Sequence, residues 1–305
     1  MAVILISGGS GLVGKALCKR LLSDGHEVRI LSRNPQANSR LKSFYWNVEK
    51  NEIDEKAFDG VEHIVHLAGS GIADKRWTDA RKKDIIDSRV ESIKLITDVV
   101  KKKKILLKSF VGASAIGIYG MVTSNKLFTE TDKGKNDFLT ETCIKWENAY
   151  QGIDSTSQKS CVIRIGVVLS ANGGALKKLF PLFTLGLGSG VGSGKQHMPW
   201  IHIDDLVSVF YEGLFNPNFT GIYNAVSSEE TTNQVFSKQL AISLSKPFFV
   251  PNVPAFMLKL LFGKMANVLL EGSRVSNQKL INTGFRFQFP TLNEAFKNIF
   301  SEKES

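Results

Sequence analysis

The stretch GGSGLVG, residues 8–14, limits what this chain can fold into more than any other. It sits between a short β-rich run over 2–7 and a helically periodic run over 15–23, so it marks a strand turning into a helix. Gly8, Gly11 and Gly14 are spaced G-x-x-G-x-x-G. The first permits a tight turn, the second lets a pyrophosphate approach the backbone, and the third lets the helix pack closely on the sheet. The free amides and dipole of the helix start favour a diphosphate. Asp24-Gly25-His26 then stops the helix, and 27–31 reads as a second strand. The result is a β-α-β unit, which makes a dinucleotide the expected ligand where the motif alone would carry little weight.

An NAD-binding unit commonly ends its second strand on an acidic residue that meets the ribose hydroxyls. Here that place reads Leu31-Ser32-Arg33-Asn34. Arginine pairs with a 2′-phosphate and serine adds a small hydrogen-bonding group, so NADP is preferred over NAD. The alternative keeps Arg33 as a solvated turn residue, with Asp59 or another carboxylate at the ribose.

Further along, 63–67 reads as a third strand leading into AGSG, and 79–100 as a long helix. A strand at 106–112 precedes SAIGIYG, 138–150 reads as a helix, and 160–169 as a strand carrying Arg164. This alternation predicts an α/β doubly wound parallel sheet, a Rossmann fold, over 1–170, with later segments available to complete its core sheet. On the long helix Asp84 and Arg89 lie five apart, off any closely shared face. From 171 to 305 the chain is expected to form a smaller, mixed, mainly helical substrate-side region, with a C-terminal subdomain at about 247–295. Helices at 203–213 and 233–243 are expected there, capped by Asp204 or Asp205 and by Thr231 or Thr232. Two amphipathic segments around Gly263 suit the cover of a cleft, a dimer face or core, in preference to a membrane-surface helix. GSGK at 192–195 is no P-loop, because Ser189 stands where the upstream glycine is needed and Gln196 follows Lys195.

The formal net charge is +10, but the excess is scattered. Its densest run, KKKK at 101–104, reads as a solvated helix end, so no nucleic-acid partner is expected. With no leader-like start and no long apolar run, no membrane partner is expected either. Cys18, Cys143 and Cys161 show neither a disulfide framework nor zinc spacing, which fits a reducing cytoplasm. No metal is expected, since His197 and His202 with Asp204 and Asp205 make no compact, open ligand set.

Taken together, GGSGLVG, HLAG (66–69), SAIGIYG (114–120), FLTETCIKWE, RIGVVLSANGGAL, GSGKQHMPWIHIDDL and LLEGSRV resemble the extended short-chain dehydrogenase/reductase superfamily. They are most similar to its atypical epimerase-family subgroup with a short C-terminal DUF1731-type domain. The resemblance spans essentially the whole chain. It implies that Gly8, Ser10, Gly11, Leu12, Val13 and Gly14 line the diphosphate and adenosine side, and that Ser32 and Arg33 meet the ribose phosphate. It further implies that Leu67, Ala68 and Gly69 pass along the cofactor, with Asp84 and Arg89 as additional contacts and Val167 or Val168 near the nicotinamide. Relatives often pair through helices corresponding to 79–100 and 138–150, so monomer and homodimer both stand.

Ordinary members of that superfamily use a Ser with a Tyr-x-x-x-Lys pair, in which the lysine lowers the tyrosine pKa and the phenolate exchanges a proton as hydride moves. Ser114 fits the serine position, but the helix that should carry the pair has Cys143 and Glu147 at that spacing. Tyr119 is the alternative acid/base, or else a packing residue. His197 and His202, flanking Met198-Pro199-Trp200, are substrate-side candidates with Trp200, or structural hydrogen-bonding groups. Two functions follow. One is an NADP(H)-dependent oxidoreductase or nucleotide-sugar epimerase-like protein acting on a small carbonyl or hydroxyl substrate, with a sugar-like partner as one candidate. The other is a non-catalytic NADP-binding module for redox sensing or protein interaction.

Overall fold

The computed structural model describes residues 1–36 and 41–304. The first half alternates strands and helices: β1 (Val3–Ser7), α1 (Leu12–Ser23), β2 (Glu27–Ser32), β3 (Lys42–Asn47), β4 (Glu52–Ile53), β5 (His63–His66), α2 (Asp79–Lys102) and β6 (Ser109–Ala115). The middle holds β7 (Leu127–Phe128), α3 (Phe138–Ala149), α4 (Gln151–Asp154), β8 (Ser160–Ile165), β9 (Val167–Ser170) and α5 (Gly174–Thr184). Then follow β10 (Trp200–His202), α6 (Ile203–Phe215), β11 (Gly221–Ala225), α7 (Asn233–Ser243), α8 (Ala255–Phe262), α9 (Asn267–Leu270), β12 (Arg274–Val275), α10 (Gln278–Ile281) and α11 (Leu292–Glu304).

Eight strands form one sheet in the order β11-β8-β6-β5-β1-β2-β3-β4, parallel except for β4. From β1 the chain moves outward through β2 and β3, then returns to the other side through β5, β6, β8 and β11. The order therefore reverses between β1 and β5, and ligands of open α/β sheets bind outside the carboxyl ends of the strands at such a point. The apolar runs ILI at Ile4–Ile6 and IV at Ile64 and Val65 are fully buried, as expected for central parallel strands covered by helices on both faces. The doubly wound sheet with a smaller, mostly helical C-terminal region is the architecture the sequence predicts.

Four local readings change. The main-sheet strands β3, β4 and β11 have no counterpart among the expected ones. The fourth expected strand lies at 109–115 rather than 106–112. The run 160–169 divides at Gly166, where a Cβ would sit 2.8 Å from Pro199 O. That close approach lets β9 leave the main sheet and pair with β10. The cap of α6 is His202, whose ring accepts from Asp204 N (3.2 Å), rather than either aspartate. Asp205 instead accepts the amides of Gln288 (2.7 Å) and Phe289 (3.1 Å), tying α6 to the C-terminal region. Of the two threonines before α7, Thr232 makes the cap.

Behind the sheet's edge a second core joins Leu169, Leu176 and Trp200 to Phe236 and Phe296 of α7 and α11. The KKKK run closes α2, with Lys102 and Lys103 paired to Glu55 (2.6 Å) and Asp59 (2.7 Å). No helix among the described residues is long and apolar enough to cross a membrane.

Candidate functional site

At the reversal point, three backbones meet with no space for side chains. Gly8 has φ +74°, and a Cβ there would lie 2.8 Å from Leu67 C, in the chain leaving β5. A Cβ on Gly14 would lie 2.3 Å from Gly8 O. Gly11 N donates to Gly8 O at 3.0 Å, closing the turn, and Gly11 then caps α1 without a side chain. The first amides of α1 have no intrahelical acceptor. Its first turn carries no carboxylate. A helix start so arranged receives an anion. Ser10 and Gly11 are exposed at its mouth, with Leu12 and Val13 half-buried behind them. These residues fit the diphosphate of a dinucleotide.

At the end of β2, Ser32 Oγ accepts from Asn34 N (3.2 Å) and Arg33 projects into solvent. The loop after β5 is clamped from α2. Ser70 N donates to Ser88 Oγ (2.9 Å), Arg89 Nη1 donates to Ser70 O (3.0 Å), and Ser70 Oγ reaches Asp84 (3.3 Å). Asp84 and Arg89 thus act on one loop although their Cα positions face differently, because both side chains reach the chain crossing above the helix. Arg81 pairs with Asp84 and donates to Gly71 O. The guanidinium of Arg89 also lies over Trp146 (4.8 Å), and Gly69 leaves it room, since a Cβ there would be 3.0 Å from Arg89 Cζ. Asp84 and Arg89 therefore hold Ser70, the residue that follows Leu67, Ala68 and Gly69.

Beside this cradle, a polar row crosses β6, β8 and β11. Register places Ser114 opposite Arg164 and Arg164 opposite Asn224. Glu147 enters from α3, accepting from Ser114 Oγ (2.6 Å) and, bidentately, from Arg164 Nε and Nη2 (2.8 Å each). Arg164 Nη1 donates to Tyr119 OH (3.0 Å), which donates to Asn224 Oδ1 (2.7 Å). Arg164 sets a positive charge against Glu147, the residue at the lysine spacing of the Tyr-x-x-x-Lys pattern, and Glu147 neutralises it. Ser114 is 1% exposed and Tyr119 fully buried. Burial pushes the Tyr119 hydroxyl up to about 12 despite the Arg164 guanidinium beside it. Cys143, packed on α3, is likewise pushed up to about 12 by burial, with the Glu147 carboxylate adding to the effect. Such a thiol is no nucleophile at neutral pH. Arg164 and Asn224 were not among the expected site residues. The only signal for them was charge and amide inside apolar strands.

The remaining candidates separate. Val167 and Val168 begin β9, half-buried, with Val167 N donating to Pro199 O (2.8 Å). Trp200 lies wholly in the second core, and His202 is 1% exposed with its ring 4.0 Å from Phe289. Of the three substrate-side candidates, His197 borders a polar cavity of about 170 Å³, shared with Ser227–Thr231 and Arg274–Gln278. There Arg274 grips Glu230 bidentately at 2.7 Å. Among the described residues no group of three or more His, Cys, Asp or Glu is placed to hold a metal ion.

A doubly wound sheet with a glycine-lined helix start at its switch point defines a nucleotide-binding protein of the epimerase and dehydrogenase type. Residues 4–225 match the NAD dependent epimerase/dehydratase family, and the chain belongs to that family. Residues 253–299 match the domain of unknown function DUF1731. The chain is 32% identical to the human epimerase family protein SDR39U1, over 97% of this chain and 99% of that one. It is 30% identical to the Bacillus subtilis epimerase family protein YfhF, over 99% of each. Among solved structures, human SDR39U1 (isoform 2) with NADPH superposes with a TM-score of 0.88 at 30% identity, covering 98% of this chain and 99% of that one. The Thermus thermophilus UDP-glucose 4-epimerase complex with NAD shares the fold, with a TM-score of 0.78 at 18% identity over 99% of each chain.

Proposed function

We propose that this chain binds NADP(H) across the β1–β5 switch point and acts on a small, sugar-like carbonyl or hydroxyl substrate, as an oxidoreductase or nucleotide-sugar epimerase-like protein. The observation that carries the cofactor half is Arg33, exposed just after β2 and flanked in sequence by Ser32 and Asn34 where an acidic residue would suit NAD. The likeness to a human protein solved with NADPH supports the same choice. In this reading Gly8–Gly14 cradle the diphosphate, Ser32 and Arg33 hold the 2′-phosphate, and the clamped loop at Leu67–Gly69 flanks the dinucleotide. When bound, the nicotinamide supplies or accepts hydride. Ser114, already donating to Glu147, meets a substrate hydroxyl as an acceptor. Tyr119 and Arg164 hold Glu147 and Asn224 in place, and His197 borders the substrate side. The buried, unpaired thiols of Cys18, Cys143 and Cys161 suit a reducing cytoplasm.

Titrating NADPH and NADH by fluorescence tests this. Arg33→Ala should weaken NADPH about tenfold or more while leaving NADH nearly unchanged. Equal loss for both, or none for either, overturns the assignment. The second reading, a non-catalytic NADP-binding module, draws on the closed Ser114–Glu147–Arg164–Tyr119 row. Tight NADPH binding without turnover across a panel of sugar nucleotides and small carbonyls would favour it.

A further inference from the structure

The C-terminal region exposes large apolar side chains that a core or a cleft cover would have buried. On α8, Leu258 faces inward, whereas Phe256 (70% exposed), Leu260 (77%) and Leu261 (64%) face solvent. Phe249 (76%) and Leu185 (72%) stand out likewise on neighbouring segments. These segments adjoin. Pro247 packs on Gly186, where a Cβ would lie 3.6 Å from its ring, and Val191 pairs with Val253 just before α8. Residues 182–187 and 247–261 therefore contribute to one apolar face.

The charge along the two segments that build this face is one-sided, and the adjoining loop, which meets Gly263 through Arg76, adds Lys75 and Arg76 against Asp74. Residues 171–203 and 231–270 together carry seven lysines and neither Asp nor Glu. Lys246, Lys259 and Lys264 are exposed within or beside the apolar run. The next carboxylate, Glu271, accepts from Thr123 Oγ1 (2.6 Å). A two-fold pair using this face would set lysines against lysines, which disfavours a second copy of the chain. Apolar side chains that enter an acyl boundary, ringed by lysines whose long stems reach headgroups, match an interfacial membrane contact.

We propose that the face formed by α8, the segment before it and the end of α5 docks on an anionic lipid bilayer surface, lying on the membrane without spanning it. This inference does not depend on the cofactor or the reaction.

Co-sedimentation of the full chain with sucrose-loaded vesicles tests it, comparing pure phosphatidylcholine with vesicles containing roughly a third phosphatidylserine. The expected result is binding at least about tenfold tighter to the anionic vesicles, weakened by added salt. Phe256→Ser with Leu260→Ser, and separately Lys259→Glu with Lys264→Glu, should each reduce it by about tenfold or more. All four positions are exposed, and thermal unfolding confirms that the variants fold. Equal partition to both vesicle types, or binding that survives both double substitutions, overturns the proposal. So does a stable dimer or an acidic-protein complex that the Phe256/Leu260 variant abolishes while vesicle binding is absent.

Discussion

The turn from β1 into α1 and the polar row across β6, β8 and β11 stand side by side at the same edge of the sheet, yet they are built in opposite ways. The turn works through backbone. Its glycines make space, and among the described residues no side chain caps the helix start. The row works through side chains that satisfy one another. Ser114, Glu147, Arg164, Tyr119 and Asn224 form a continuous chain of hydrogen bonds. A backbone site persists as long as its glycines do. A side-chain site changes its chemistry when two helix positions change, as Cys143 and Glu147 illustrate. The cradle and the polar row are therefore separable, and each can be tested without the other.

The largest effect should come from filling the cradle. Gly14→Ala places a methyl 2.3 Å from Gly8 O, where only backbone movement makes room. We expect a loss of about 3 kcal/mol in stability and about a hundredfold in dinucleotide affinity, read by urea unfolding and by NADPH titration. Unchanged affinity would show that the turn is not the cradle.

Next comes the row. Arg164 and Glu147 are 6% and 12% exposed, so removing one partner leaves a buried charge. Arg164→Met alone should cost about 3–5 kcal/mol, whereas Arg164→Met with Glu147→Leu should recover most of that loss. NADPH affinity should move little in the double variant, provided the two regions are as independent as their construction suggests. Equal cost for single and double variants would mean that the pair matters only for packing.

The smallest effect belongs to β5, the strand between the two regions. Desolvation holds His63 down to about 4 and His66 to about 3, so both stay neutral in the folded protein well below the ordinary histidine range. Between about pH 6.5 and 5 the unfolded chain takes up these protons and the native one does not. Stability then falls as pH falls, by up to about 1.4 kcal/mol per pH unit for each histidine. His63→Gln, which keeps a partner for Ser109, should flatten the fall by one such share in thermal melts across that window. An unchanged slope would mean that His63 is charged in the native state.

Much of the fold was legible because its signals are local. The glycine spacing, the apolar strands and the helix stop at Asp24-Gly25 each lie within a few residues, and they led to the β-α-β unit and the doubly wound sheet. β3 was missed because its residues include the polar and aromatic positions of a strand near the sheet's edge, most of them only half-buried. The candidate site divided along the same line. Gly8, Gly11 and Gly14 were readable from spacing, because a glycine's role is set by its own backbone. The convergence of Asp84 and Arg89 on Ser70 was not, since helix spacing describes Cα positions and says nothing of where long side chains reach.

The order of residues was enough to specify a dinucleotide-binding turn, a basic residue after the second strand, and the absence of the Tyr-x-x-x-Lys pair. Three-dimensional packing settled what stands in that pair's place. Glu147 could be read as a missing lysine, but its union with Arg164 and Ser114 needed a helix and two strands brought together from 17 and 33 residues away. The same holds for α8, whose apolar sequence suits core or surface equally. Its exposure follows from which face the neighbouring segments cover, a long-range contact that no local pattern encodes.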